Sequence, residues 1–382
     1  MGAKVTYGEM AYAAKCVEGD VLELDKLSPF EGEQCFVAQL ACSPKEMGAG
    51  VRAGLIAAEA GAQWVDLNCG CPIHAAVSRG YGVALMRSGR DLVQLTKGMA
   101  RRLPVPLTLK LRLGEEEVEE EALAELLGRL QAAGAAAVTV HGRTGAQRYT
   151  GAADWEVIAR SAAANPGLAV VGNGDVLTLA DCNNTLAMPG LAAVMTGRGA
   201  LIRPWLFKEL QEGVEWLPTP EERLGVYMRF VELVAEEEGM AWAAEDPPVP
   251  YIAWHFSFFS RYRPFPRERF VGSTVGDPAA EPLIIAQAAD PAPFATWEGE
   301  HAKGFLERLL RCQCDAANLG IAACLWECRR AGGGHEDDGG PNEPGTGPGV
   351  ARAMQALEAL AGEHLDGWEA QAATRTVVFD RK

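Results

Sequence analysis

Short apolar runs alternate with amphipathic stretches along the first half of the chain. Six runs have the length and composition of buried strands: residues 35–40, 64–68, 107–112, 136–142, 168–174 and 192–197. The stretches at 92–103, 119–133 and 155–164, which lie between them, repeat apolar residues at helical spacing. Strands that are apolar on both faces and alternate with helices are typical of a parallel sheet. The pattern therefore predicts an α/β fold.

Polar and glycine-containing clusters follow almost every predicted strand. These clusters occupy residues 68–72, 110–112, 141–143, 172–175 and 197–199. A doubly wound sheet concentrates its functional residues at one switch point, whereas a TIM (β/α)8-type barrel distributes them over the carboxyl ends of many strands. The distribution therefore favours a TIM-type barrel.

The composition becomes helical after Thr219. Residues 223–238 and 249–262 carry aromatic side chains at helical spacing, which favours packing in a core over a platform that stacks bases. Two later segments are rich in Gly, Pro, Ala and acidic residues, a composition typical of disorder. The predicted domains are a barrel over 1–215 and a smaller helical domain over 216–382, with disordered insertions near 270–298 and 331–349.

The formal net charge of −16 and the pI near 4.9 argue against nucleic-acid binding through a generally basic surface. Acidic residues cluster at 115–121, 221–238 and 335–343. Basic residues instead gather near the predicted strand ends: Lys110, Arg112, Arg143, Arg148, Arg198 and Arg203. A local positive field at the strand ends is therefore expected in spite of the net charge.

No apolar run reaches the roughly 20 residues that cross a bilayer, and residues 1–16 do not have the pattern of a signal peptide. The ten cysteines are therefore expected to be reduced thiols of an intracellular protein, in the cytoplasm, the nucleus or both. Cys312, Cys314, Cys324 and Cys328 fit no common zinc spacing well, so we favour packing thiols over a metal site there.

Three blocks in the chain, in this order, resemble the signature of the tRNA-dihydrouridine synthases. They are VDLNCGCPIHAAVSRGYGVALM (65–86), HGRTGAQRYTGAADWEVI (141–158) and TGRGALIRPWLF (196–207). The segments GCPI, VPLTLKLRLG and YGEMA are most similar to the eukaryotic branch of tRNA-dihydrouridine(47) synthases. The resemblance covers about residues 5–264. It implies an FMN barrel that uses NADPH or NADH to reduce a uridine in tRNA, with a helical RNA-binding domain, and it leaves mRNA open as a second substrate.

Saturation of the C5=C6 bond of uracil needs a hydride at C6 and a proton at C5. The resemblance assigns the proton donor to Cys71, which follows a predicted strand and precedes Pro72, a residue that stiffens the turn. Cys69 occupies the variable position of the same motif. We therefore interpret Cys71 as catalytic and Cys69 as an inert packing thiol.

Glycine-containing loops follow the last two predicted strands, which is where barrels of this kind hold a phosphate. The predicted FMN phosphate site consists of Asn173, Gly174, Asp175, Gly197 and Arg198. The resemblance adds four residues at the flavin ring: Gln39, Asn68, Lys110 and His141. For His141, the alternative interpretation is a core histidine whose hydrogen bonds are satisfied. For each of the two loops taken alone, the alternative is an ordinary turn.

Five residues are candidates for contacts with RNA, through hydrogen bonds or phosphate contacts. They are Arg112, Arg143, Gln147, Arg148 and Tyr149. A solvated loop is the alternative for residues 147–149.

The chain departs from the family pattern near its start. Family members place a strand and a helix before the strand that ends in G-E-M, whereas YGEM begins here at Tyr7. We therefore expect a barrel that lacks its first strand and helix. The strands at 5–10 and 192–196 would then be sheet edges, and flavin binding would be weak.

Two other functions stay open on the sequence alone. Another FMN-barrel dehydrogenase would act on a free pyrimidine, and a non-catalytic RNA-binding protein would hold no flavin. The helical domain and the arginine-rich loop at 141–149 favour a polymeric substrate over a free base. The flavin absorbance of the purified protein would separate the enzymes from the RNA-binding protein.

Overall fold

The computed structural model describes residues 2–236, 248–262, 304–330 and 348–374. The insertions predicted near 270–298 and 331–349 lie outside these ranges, except that Pro348 and Gly349 begin a helix. Among the described residues, no helix combines the length and the apolarity that are needed to cross a lipid bilayer. The chain divides into two compact units between Gly197 and Arg198.

The first unit is built around a parallel sheet of eight strands. They are β1 (Thr6–Tyr7), β2 (Ala11–Tyr12), β3 (Phe36–Ala41), β4 (Trp64–Asn68), β5 (Leu107–Arg112), β6 (Ala137–His141), β7 (Ala169–Asn173) and β8 (Leu191–Met195). The order is β1-β3-β4-β5-β6-β7-β8, and β2 also pairs with β3. The six predicted apolar runs match β3 to β8 within two residues at each end, and helices connect these strands. The prediction of an α/β fold of the TIM-barrel type is therefore confirmed.

Helices follow β3 to β7 in turn, as the alternating pattern predicts. They are Met47–Glu59, Gly89–Ala100, Glu120–Ala133, Trp155–Ala163 and Leu179–Leu186. Capping residues define their ends: Asp154 accepts a hydrogen bond from the Val157 N–H at 3.0 Å, and Gly134 ends its helix at a φ of +103°. Shorter elements complete this unit, namely the helices Ala13–Glu18, Val21–Asp25 and His74–Val77 and the 3-10 segments Pro44–Glu46 and Gly82–Arg87.

The register of the sheet aligns the carboxyl ends of its strands. Asn68 pairs with Lys110, and Arg112 pairs with His141, which pairs in turn with Asn173. Because all strands run in one direction, the residues that end them lie at one end of the sheet. The predicted site residues of β4 to β7 are therefore neighbours.

The two outer strands of the sheet are shorter or more exposed than the inner ones. Within the described residues β1 pairs with β3 alone and β8 with β7 alone, in agreement with the expectation that these strands are edges. Every residue of β3 is buried, whereas the residues of β8 are half-buried or exposed. The strand predicted at 5–10 consists of the two short pieces β1 and β2, separated by residues 8–10.

The second unit consists of helices. Those that the structure describes are Arg198–Ile202, Leu206–Glu212, Pro220–Glu236, Val249–Phe259, Phe305–Leu310, Asp315–Arg330 and Pro348–Thr374. The unit begins at Arg198, earlier than the predicted boundary at 215, because the segment after β8 packs into the helical core. Trp205 is buried there, with its ring edge-to-face against Tyr262 at 5.0 Å and Trp216 at 5.4 Å between centroids.

The aromatic residues of the helix Val249–Phe259 divide between a buried and an exposed face. Phe256 and Phe259 have no exposed surface, which confirms the predicted core packing at these positions. Tyr251 and Trp254 are 39% and 53% exposed and lie next to each other, with ring centroids 6.1 Å apart. The helix therefore presents two adjacent aromatic rings to solvent.

The second unit contains four cysteines, at positions 312, 314, 324 and 328. Cys312 and Cys314 are buried, and Cys324 and Cys328 are half-buried on the helix Asp315–Arg330. In the part of the chain that the structure describes, no His, Cys, Asp and Glu side chains group in a way that could hold a metal ion.

Candidate active site

A chain of buried hydrogen bonds joins β3, β4 and β5. Asn68 Nδ2 donates to Gln39 Oε1 at 2.8 Å, and Gln39 Nε2 donates to Asp66 Oδ2 at 2.8 Å. The second carboxylate oxygen of Asp66, Oδ1, accepts from Thr108 Oγ1 at 2.6 Å. The structure therefore brings the predicted cofactor residues Gln39 and Asn68 into direct contact.

Hydrogen bonds fix both the N–H and the carbonyl of Cys71, which lies in the turn after β4. Asn68 Oδ1 accepts from the backbone N–H of Cys71 at 2.9 Å and from that of Gly70 at 3.2 Å. The Cys71 carbonyl accepts from the Val83 N–H at 3.0 Å. A Cβ at Gly82 would lie 2.3 Å from the same carbonyl oxygen, so only glycine permits this approach. The backbone of the predicted catalytic residue is thus tightly constrained.

The two cysteines of this turn have different surroundings. Cys71 is half-buried and packs against the buried cluster of Ala41, Ala76 and Tyr81. Cys69 has no exposed surface, and its N–H donates to the Lys110 carbonyl at 2.8 Å. Burial raises the pKa of the Cys69 thiol well above its usual value, so this residue stays a neutral, enclosed thiol.

Lys110 places a cation at the centre of the site. Burial, together with the nearby Arg112 guanidinium, lowers the pKa of Lys110 to about 8. No carboxylate lies within salt-bridge distance of its amine among the described residues; Asp66 and Cys71 act on it only through their longer-range fields. Lys110 is therefore a half-buried donor without a salt-bridge partner among the described residues.

Two further side chains near the site, those of Asp66 and Tyr7, have raised pKa values. Burial raises the pKa of Asp66 to about 6, against the opposing effect of its bonds from Thr108 and Gln39 and of the Lys110 charge. Burial and the Asp66 charge raise the pKa of Tyr7 to about 12. The fully enclosed carboxylate of Asp66 thus contacts Gln39, one of the predicted flavin residues.

Arg112 ties two loops together. Its Nε donates to the Gly70 carbonyl at 2.7 Å, and its Nη1 donates to the carbonyls of Thr144 at 2.7 Å and Arg148 at 3.1 Å. The side chain is buried, and burial lowers its pKa. In this arrangement Arg112 holds the Cys71 turn against the loop after β6. Its direct contact with RNA stays a prediction.

Arg143 is buried in an ion pair with Asp175. Both carboxylate oxygens of Asp175 accept from the guanidinium, with Oδ1 at 2.9 Å from Nη1. Asp175 Oδ2 also accepts from the Ala153 N–H at 2.8 Å. Arg143 Nη1 lies 3.4 Å from His141 Nε2, and its Nε donates to the Gly151 carbonyl at 3.0 Å. The pair therefore joins the loops after β6 and β7, and RNA contact by Arg143 also stays a prediction.

The loop after β7 approaches its neighbours closely at Gly174. This residue has a φ of +133°, and a Cβ there would lie 2.6 Å from the Ala153 Cβ. The Gly174 carbonyl accepts from Trp155 Nε1 at 3.0 Å, and Asn173 Nδ2 donates to the Met195 carbonyl at 2.9 Å. Asn173 therefore links β7 to β8, while the loop at Gly174 needs the freedom of glycine.

The second predicted phosphate loop falls at the division between the units. Around Gly197 a Cβ would meet nothing within 4 Å. Gly197 ends the first unit and Arg198 begins the second. The first unit therefore contains four of the five predicted phosphate residues, and the role of Arg198 stays a prediction.

The outer rim of the site is formed by the exposed residues 147–149. Gln147 Oε1 accepts from the Thr144 N–H at 2.8 Å, which folds this side chain back onto its own loop. Arg148 has a φ of +50°, and the Tyr149 ring is 41% exposed with its centroid 6.4 Å from that of His141. Arg148 and Tyr149 are thus the predicted RNA residues that reach the surface here.

Asp66 and Thr108 are the site residues that sequence reasoning missed. Each is one polar residue inside an apolar strand, and neither belongs to a cluster at a strand end. A carboxylate in a strand that is otherwise apolar is itself a signal, because a buried charge needs partners. The partners of Asp66 can be identified only from the strand register, which pairs Asp66 with Gln39 on one side and with Thr108 on the other.

The comparison with known families fits this site. The family model "Dihydrouridine synthase (Dus)" matches residues 1–242. The chain therefore belongs to the dihydrouridine synthase family.

Individual relatives are similar to this chain over the same region. A "tRNA-dihydrouridine(47) synthase [NAD(P)(+)]-like" protein of Homo sapiens is 36% identical over 264 residues, which are 69% of this chain and 40% of that protein. A "tRNA-dihydrouridine(47) synthase [NAD(P)(+)]" of Coprinopsis cinerea is 36% identical over 277 residues, which cover 69% of this chain and 41% of that protein. A "tRNA-dihydrouridine(47) synthase [NAD(P)(+)]-like" protein of Arabidopsis thaliana is 32% identical over 266 residues, which cover 69% of this chain and 38% of that protein. The chain thus resembles the tRNA-dihydrouridine(47) branch and spans about 40% of the length of these relatives.

Proposed function

We propose that this chain reduces a uridine of tRNA to 5,6-dihydrouridine, with FMN as its cofactor and NADPH or NADH as the reductant. The observation that carries the proposal is the Cys71 turn. The Asn68 side chain and the Val83 N–H hold the backbone of Cys71 by hydrogen bonds, at the end of the sheet where Lys110 and His141 also lie. Membership of the dihydrouridine synthase family and similarity to proteins named tRNA-dihydrouridine(47) synthases support the same reaction.

The residues of the site fit a flavin. Lys110 is a half-buried donor, Asn68 pairs with it across the sheet, and Gln39 and Asn68 supply amide groups. Gly174 has a backbone conformation that a side chain would strain, as is common where a loop approaches a phosphate. In the proposal, Gln39, Asn68, Lys110 and His141 hold the ring, and Gly197 and the loop of Asn173, Gly174 and Asp175, the last through its backbone because its carboxylate is paired with Arg143, hold the phosphate.

The chemistry of the chain itself is acid catalysis. When bound, a reduced flavin supplies the hydride that C6 of the uracil ring accepts. The Cys71 thiol donates its proton to C5, and the thiolate takes a proton back from solvent. Because Cys71 is half-buried, its Sγ can exchange this proton while most water is excluded.

RNA recognition is assigned to the rim and to the second unit. Arg148 and Tyr149 are exposed beside His141, and Tyr251 and Trp254 present aromatic rings on the second unit. Aromatic rings stack on unpaired bases, and arginine binds phosphate. In the proposal both sets contact tRNA, with mRNA as a further possible substrate, in the cytoplasm, the nucleus or both.

Replacement of Cys71 tests the assignment. We expect Cys71→Ala to lower the rate of dihydrouridine formation by about 10²-fold or more, the usual effect of losing a general acid, while flavin absorbance stays unchanged. Cys69→Ala is the matched control, because Cys69 lies two residues away and is fully enclosed. Undiminished turnover of Cys71→Ala, or an equal loss in Cys69→Ala, would exclude Cys71 as the acid.

A further inference from the structure

Asp66 is a buried charge that the proposed chemistry does not use. It lies in the middle of β4 with no exposed surface, and both of its oxygens accept hydrogen bonds, from Gln39 and Thr108. A buried carboxylate is costly unless it is paired, so its presence needs a physical reason. The reason lies in what its partner Gln39 contacts next.

We propose that Asp66 is a positioning residue that fixes the turn carrying Cys71, acting through the side-chain amides of Gln39 and Asn68. The hydrogen bonds run without a break from the carboxylate of Asp66 to Gln39, from Gln39 to Asn68, and from Asn68 to the N–H groups of Gly70 and Cys71. This inference rests on the proposed role of Cys71 as the acid.

The direction of this chain of bonds is set at both of its ends. An ionised carboxylate can only accept, so Gln39 must turn its NH2 group toward Asp66 and its carbonyl toward Asn68. Asn68 must then offer its NH2 group to Gln39, which leaves its carbonyl for the turn. Backbone N–H groups can only donate, so the turn requires that same orientation. Asp66 thus selects the amide orientation that the Cys71 turn needs.

Without the Asp66 carboxylate, the Gln39 amide would lose the hydrogen bond that fixes its orientation. Its NH2 and carbonyl groups could exchange places, and Asn68 would then present its NH2 group to the N–H groups of Gly70 and Cys71. Two donors would face each other, and the turn would lose bonds of 2.9 and 3.2 Å. The consequence is a more mobile Cys71 rather than an unfolded protein.

The test compares Asp66→Val/Thr108→Val with Thr108→Val. The double variant removes the carboxylate together with its second partner, so that the two variants differ in the carboxylate and its bond to Gln39, whereas the bond from Thr108 is absent from both. At pH 7.5 we expect the Gly70 and Cys71 amides to exchange hydrogen about tenfold faster in the double variant, the effect of losing a net hydrogen bond. Exchange in the distant helix Trp155–Ala163 should stay unchanged. The same exchange rate at Gly70 and Cys71 in both variants would overturn the proposal.

A reversed network keeps the proposal testable if the double variant does not fold. In Asn68→Asp, the new carboxylate requires an NH2 group from Gln39, which turns the Gln39 carbonyl toward Asp66, so that two acceptors face each other. Asp66→Asn/Asn68→Asp supplies a donor at position 66 and restores the two bonds of Gln39 in the opposite direction, while the bonds from Thr108 and from the turn keep their direction. We expect Asn68→Asp to unfold at lower urea concentration than the wild type at pH 7.5, and the double variant to recover. Failure to recover would overturn the proposal.

These readouts are independent of the reaction. Exchange and unfolding are measured on the protein without flavin or RNA, so they report on the network even if the chain reduces no uridine. In the reaction, the positioning role predicts that kcat falls about tenfold in Asp66→Val/Thr108→Val while KM for tRNA is unchanged. A rise in KM at constant kcat would contradict that role, whereas an inactive wild type would count against the proposed function instead.

Discussion

At the scale of single residues, the site contains two ionisable side chains with shifted pKa values, the half-buried Lys110 and the buried Asp66. Burial lowers the pKa of Lys110 to about 8 and raises that of Asp66 to about 6, so in each case the fold disfavours the charged form. Such perturbed groups are common at functional sites, where stability is given up for chemistry. Their effect on stability can be measured directly.

Asp66 should make stability depend on pH in a predictable direction. Its pKa is near 4 in an unfolded chain and about 6 in the folded protein, so between these values the folded state holds a proton that the unfolded state has lost. Stability therefore falls as pH rises through this window, by about 3 kcal/mol for the full shift. Urea unfolding of the wild type and Asp66→Asn should show this change between pH 4 and 7 as a growing advantage of the variant. A constant difference between the two proteins would contradict the prediction.

The sequence predicted some residues of the site better than others. Cys71, Asn68 and Gly174 lie in clusters at strand ends, and the register of the sheet places such clusters together. Asp66 lies inside a strand and could be connected to Gln39 only through a contact between chain positions that are far apart. Arg112 and Arg143 show the opposite problem, because an arginine near a motif looks the same in sequence whether it faces RNA or is buried against carbonyls.

At the scale of elements, the loops after β6 and β7 depend on the ion pair between Arg143 and Asp175. Both side chains are almost completely buried, and Asp175 adopts a φ of +52°, which non-glycine residues seldom do. The pair also connects to His141 and to the Ala153 N–H. The position of the predicted phosphate loop therefore follows from a contact between side chains of two loops.

Breaking this ion pair on one side should be more harmful than removing it altogether. We expect Arg143→Met to lower the free energy of unfolding by about 3 kcal/mol or more, because the Asp175 carboxylate is left buried without its counterion. Arg143→Met/Asp175→Asn should recover much of that loss, since asparagine keeps the hydrogen bond to Ala153 and tolerates a positive φ. Urea unfolding measures both values. An additive loss in the double variant would show that the pair itself contributes little.

The elements were predicted from the sequence with unequal success. The runs that became β3 to β7 are apolar on both faces, so local pattern and tertiary burial agree. The break between β1 and β2 could not be predicted, because it depends on Gly8 lying against the Phe36 ring and the Lys26 carbonyl. The early start of the second unit likewise depends on the packing of Trp205 against Tyr262, a contact that no local pattern encodes.

At the scale of the whole molecule, the charge distribution differs from the expected one. Arg112, Arg143 and Arg203 are buried, and Arg203 pairs with Glu215 at 2.9 Å and Glu209 at 3.5 Å. These basic residues therefore hold the fold together and contribute little to a surface field. With a net charge of −16, the RNA recognition that we propose would depend on a few exposed residues such as Arg148 and on stacking, more than on general attraction.

The central claim is that this chain reduces uridine within tRNA. The most direct measurement incubates the purified protein with FMN, NADPH and a tRNA transcript that carries no modifications, and then determines the masses of the nucleosides after digestion. We predict that a uridine of the transcript gains two hydrogen atoms, and that free uridine under the same conditions does not. Reduction of free uridine with no change in the transcript, or no product from either substrate, would contradict the account.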